Sequence, residues 1–131
     1  MSRPSRVLRR FRRDRRGATA IEFAMILPIF CMLVLGIVNG AQLANTVSSM
    51  NYAVQEAARC SAVNKTVCDS ASATRAYAVT KYLGPAVGPV FVSSTAGCGH
   101  TVTATATFEL NVAVMVYDVP LSAASCYPGR D

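Results

Sequence analysis

From Phe23 to Gln55 the chain carries no charged side chain, and this run begins almost directly after a tail crowded with arginine. Glu22 is the one charged residue between Ala18 and Val38. A helix that crosses a bilayer core needs about 20 mostly apolar residues at ~1.5 Å each. Phe23–Leu43 meets that length, with Asn39 and Gln42 as its strong polar interruptions. The core helix of a soluble protein would pass the same apolar test, but eight abutting arginines do not suit it. The run therefore predicts a membrane-spanning helix.

The net charge of +6 arises from position more than from composition. Eight of the 13 basic residues are arginines between Arg3 and Arg16, opposed there only by Asp14. From Ala18 onward five basic residues face six acidic ones, so the leader is near +7 and the body near −1. A nucleic-acid-binding domain spreads basic residues over a folded face, so nucleic acid is not an expected partner. Basic residues beside a span stay cytoplasmic. The expected organisation is a basic cytoplasmic leader over 1–17, a transmembrane helix over 18–43 and a periplasmic domain over 44–131. This makes a single-pass protein of a bacterial inner membrane, with the lipid bilayer as its first partner. A secretory signal is the rival reading: a basic start, a short apolar stretch and an A-x-A-like cut. The apolar run is long for that, and Val38 with Gly40 makes a weak cleavage site. The alternative it leaves is a signal-anchored or secreted, disulfide-stabilised periplasmic binding domain.

Two residues call for a specific explanation: Gly17, between the arginines and the helix, and Glu22, a carboxylate at its start. Ionisable residues inside a membrane are rarely idle. If the chain is cut after Gly17, Ala18 becomes residue one with a charged amine. Glu22 is then residue five, one turn away on the same helix face. A carboxylate there can pair with that amine, or with the amine of a neighbouring subunit, and so set axial register. The alternative is a carboxylate that snorkels to the surface or favours the positive end of the helix dipole.

The sequence Arg16-Gly17-Ala18-Thr19-Ala20-Ile21-Glu22-Phe23 resembles a prepilin-peptidase site of the Flp/Tad class: glycine before the cut, glutamate at the fifth mature position and an aromatic after it. The likeness continues through Ala24–Pro28, Leu35–Val38 and Gln55-Glu56-Ala57-Ala58-Arg59. Over about residues 15–60 the chain is similar to the TadE-like family. Asn39 and Gly40 stand where that pattern leads one to expect a charged residue. The resemblance implies a minor pseudopilin that helps assemble a Flp-type pilus, the tight-adherence machinery, and that is expected to be pilus-associated itself. Its implied partners are a prepilin peptidase, other Tad pilus subunits and their inner-membrane platform. Gly17, Ala18, Glu22 and Phe23 are then the processing site. Pro28 removes a hydrogen bond inside the helix and is expected to kink it.

Beyond the membrane the helix is expected to continue to about Arg59, with Leu43, Val47, Met50, Val54 and Ala57/Ala58 as an apolar stripe at helical spacing. Packing on the chain's own small domain is the favoured use of that stripe, ahead of packing on other subunits. A second helix is expected over Ser70–Leu83, capped by Asp69 or Ser70, stopped by Gly84 and Pro85, with Ala76, Val79, Tyr82 and Leu83 as its apolar side. Val90–Ser93 is a short strand candidate. Over His100–Asn111, Val102, Ala104, Ala106, Phe108 and Leu110 alternate with threonines and Glu109, which marks a half-buried strand. Val112–Val119 is a further apolar run, read as another strand or an extension past a turn. The fold class is α+β: a long N-terminal pilin-like helix, one or two further helices and a small antiparallel sheet.

Of five cysteines, Cys31 falls in the span. Cys60, Cys68, Cys98 and Cys126 allow three pairings. Cys60–Cys68, clamping a loop, with Cys98–Cys126, tying the sheet to the tail, is the preferred one; all three stay open on sequence alone. No C-x-x-C is present and His100 is the one histidine, so no metal site is expected. With no nucleophile elbow and no phosphate-cradling glycine loop, no catalytic residue, cofactor or small-molecule substrate is expected, and the chain reads as a non-enzyme.

Overall fold

The computed structural model describes residues 16–112 and 115–129. All but the last arginine of the basic leader lies outside the described residues. Five elements follow in order: helix α1 (Arg16–Val63), helix α2 (Ala71–Lys81) and strands β1 (Val90–Ala96), β2 (Gly99–Val112) and β3 (Met115–Tyr127). The α+β class expected from the sequence is the one observed.

Helix α1 is a single helix of 48 residues that runs through Pro28. Its C-terminal half forms the spine of the small domain. Met50, Ala53, Val54, Ala57 and Ala58 are buried there against Ala78 of α2 and Phe91, Val102, Ala104 and Ala123 of the sheet. The stripe on α1 packs on its own domain, and Met50, Val54, Ala57 and Ala58 are buried as the sequence reading has them; one position departs from it. Val47 is exposed, and Thr46 is fully buried in its place. Thr46 can be buried because its Oγ1 donates to the carbonyl of Gln42 at 2.8 Å, so no polar atom is stranded. Ser61 and Thr74 are buried on the same terms, donating to Ala58 O at 2.8 Å and Ser70 O at 3.0 Å.

Helix α2 starts where its cap predicts. Ser70 is extended, and its Oγ accepts the Ala73 N–H at 3.2 Å. It ends at Lys81, two residues before the expected Leu83, because Tyr82 is already extended and its N–H closes the helix on Ala78 and Val79. The expected apolar side was the wrong one. Val79 and Leu83 point to solvent, and Thr74 and Ala78 face the core. Small side chains on α2 meet Ala57 and Ala58 on α1, which lets the two helices approach closely; valine and leucine at that seam would hold them apart. Tyr82 packs against the core cluster and its hydroxyl donates to Pro85 O at 2.6 Å. Burial pushes that hydroxyl above its ordinary range, opposed by a hydrogen bond with Thr46.

The sheet is antiparallel in the order β1-β2-β3. Val102, Ala104 and Phe108 of β2 are buried, with Ala106 half-buried between them, the face that the alternation predicts. Ala96 pairs with Gly99 across a tight turn. Gly99 has φ +123, in the region that favours glycine. The run Val112–Val119 becomes the return arm of a long hairpin, with Val112 opposite Met115 and His100 opposite Tyr127. Cys60 and Cys68 are joined at a Cα separation of 5.8 Å, and Cys98 and Cys126 at 6.3 Å.

Candidate functional site at the membrane helix

The large apolar side chains of the N-terminal half of α1 are exposed in the described chain. Ile21, Phe23, Ile26, Leu27, Ile29 and Leu35 are all exposed, and at about 100° per residue they lie around the whole circumference of the helix. A helix apolar on every side belongs in an environment of its own polarity. The segment from Thr19 is long and apolar enough to cross a membrane, and none of its most apolar window is buried in the chain. This half of α1 therefore suits membrane anchoring.

At its start, Gly17, Ala18, Glu22 and Phe23 all lie in helical backbone. Ala18 and Glu22 are four residues apart and so share a face. Glu22 and Phe23 are exposed. A Cβ added at Gly17 would meet nothing within 4 Å, so packing inside the chain does not require glycine there. Cys31, also in this half, is a free and exposed thiol. Among the described residues, no group of three or more His, Cys, Asp or Glu comes together in a way that could hold a metal.

The domain holds α1 along two lines of contact that sequence reasoning did not identify. At the upper end Lys65 Nζ lies 3.3 Å from His100 Nε2. At the lower end Asn39 Nδ2 donates to Leu35 O at 2.8 Å and to Asn111 O at 3.1 Å. The sequence marks Asn39 as a polar interruption of the span and as a departure from the family pattern, not as a contact. Its pairing with a strand 72 residues away has no local signature.

Residues 17–59 match the family model described as TadE-like protein. No curated protein and no solved structure matches the chain. The match begins at Gly17 and ends at Arg59, so it covers the exposed apolar half of α1 and most of the half that the domain packs on. Over those 43 of its 131 residues the chain is similar to TadE-like proteins, a likeness that supports association with the Tad pilus.

Proposed function

We propose that the chain is a minor pseudopilin-like subunit that takes part in assembling a Flp-type, tight-adherence pilus from the inner membrane. In this reading the leader is cytoplasmic, the domain periplasmic, and a prepilin peptidase cuts after Gly17. The observation that carries it is the glycine–glutamate–aromatic spacing of Gly17, Glu22 and Phe23 at the head of an exposed apolar helix. Among the described residues nothing lies within 4 Å of a Cβ added at position 17, so glycine there suits selection by an external peptidase. Glu22, as fifth mature residue, would pair with the Ala18 amine of its own or a neighbouring chain. That pairing offsets the cost of placing both charges at the membrane. An ordinary signal-peptidase cut near Val38 or Gly40 would fall inside a continuous helix and beside the Asn39–Asn111 contact, which favours a retained helix over the secreted-domain alternative.

The test is pilus formation in a strain lacking the chain. Complementation with the parent sequence should restore pili. Complementation with Glu22→Gln should give a membrane protein of normal abundance but few pili. Full piliation without the chain would remove the assembly role, and full piliation with Glu22→Gln would remove the register role.

A further inference from the structure

The β2–β3 hairpin runs down α1 towards the membrane half of the helix, and its tip is apolar. Its direction follows from the two contacts with α1. Lys65 meets His100 at one end, and Asn39 meets Asn111 at the other. Between Asn39 and Val63, where α1 ends two residues before Lys65, the helix rises about 36 Å, and between His100 and Asn111 a strand rises about 37 Å. The two lengths agree, so strand and helix lie nearly parallel, and Asn111 stands level with the last turns of the apolar run.

Past Asn111 the hairpin leaves the core. Val112, Met115, Val116 and Tyr117 are 37%, 60%, 57% and 54% exposed. From Leu110 to Tyr117 the sequence has no Asp, Glu, Lys, Arg or His. The charge resumes abruptly: Glu109 and Asp118 are exposed and stand directly opposite each other. That pair lies two strand residues above Asn111, about 7 Å, which on α1 is about five residues above Asn39. This is the level of Leu43 to Ala44, where the apolar run of α1 ends. Strand and helix thus change from apolar to polar at one height.

We propose that the tip of the β2–β3 hairpin is a second membrane contact, seated in the lipid interface of the outer face of the bilayer beside α1. The proposal rests on the membrane reading of α1. Its occupant is lipid because the apolar surface of the tip is continuous in height with the span. Tyr117 suits that depth, since tyrosine is enriched at the headgroup level; its hydroxyl donates to Met115 Sδ at 3.1 Å. The depth is also bounded. The outer edge of β3 has no strand partner, and unpaired backbone is not tolerated in the hydrocarbon core. Interfacial elements bury their apolar face only about 5–10 Å, a depth this tip matches. Two contacts, helix and tip, would fix the rotation of the domain on the membrane where the helix alone would leave it free.

The chain has no tryptophan, so a single introduced one reports its own surroundings. The full oxidised chain would be reconstituted into vesicles of phosphatidylcholine and phosphatidylglycerol as Val116→Trp, Ile29→Trp and Val63→Trp, with Met115→Trp as a second probe of the tip. Lipids brominated near the headgroup end of their chains should quench Val116→Trp, and lipids brominated deeper should quench Ile29→Trp. Val63→Trp, exposed at the far end of α1, should keep its emission. If Ile29→Trp is quenched while both tip probes behave like Val63→Trp, the helix is in the membrane and the tip is not, which overturns the proposal. Tip probes shielded from both lipid bromine and aqueous iodide would also overturn it, in favour of a second copy of the chain. If Ile29→Trp escapes quenching as well, the membrane reading itself fails and this inference falls with it.

Discussion

Gly17 and Gly99 are glycines for opposite reasons. At Gly99 the fold demands it: φ is +123, and an added Cβ would lie 2.5 Å from Tyr127 O and 2.6 Å from Gly129 N. Gly99→Ala is therefore expected to destabilise the domain by about 1–3 kcal/mol, measured by denaturant unfolding in detergent. At Gly17 space is open. Gly17→Ala should change unfolding by no more than about 0.5 kcal/mol, yet slow removal of the leader, read as the ratio of long to short protein in membranes. The processing motif was legible in the sequence because it depends on residue type and spacing in one segment. The Gly99 requirement was not, since it depends on the return of Tyr127 and Gly129 to the same corner.

Among the elements, β2 was the most legible, because a strand buried on one side must alternate. On α1 the stripe read from the sequence is the buried one at Met50, Val54, Ala57 and Ala58, and it departs at one position, where Thr46 is buried and Val47 exposed. On α2 the reading gave the face to Ala76, Val79 and Leu83, and the structure buries Thr74 and Ala78 instead, whose small size permits close packing. The hydroxyls of Thr46 and Thr74 bond their own helix. Paired variants test the face of α1. Met50→Ala should cost about 2–5 kcal/mol, whereas Val47→Ala should stay within about 0.5 kcal/mol; equal losses would contradict the observed burial. The hairpin tip was illegible for a different reason. The run Val112–Val119 does not alternate, and none of its described residues is buried. The two disulfides should also separate in size. They span 8 and 28 residues, for which loop entropy gives roughly 2.5 and 3.5 kcal/mol. The Cys98→Ser/Cys126→Ser pair should thus lower the unfolding midpoint more than Cys60→Ser/Cys68→Ser.

Across the whole molecule, one helix serves two surroundings. Its first half is exposed and apolar on all sides, and its second half is the core of a small sheet domain. The domain cannot tilt freely on such an anchor, since α1 is continuous through both, Asn39 on it bonds Asn111 at one end of β2, and Lys65, just past its end, lies beside His100 at the other. That construction fits a subunit whose helix packs in or at a membrane while its domain is presented beyond it. It has value only if the helix stays in the mature protein. The most direct measurement is the N-terminal sequence of the protein extracted from native membranes, with and without the prepilin peptidase. The account predicts Ala18 as the first residue, and an uncut leader when the peptidase is absent. A soluble product beginning near residues 39–45 would contradict it, because the apolar half of α1 would then have been discarded.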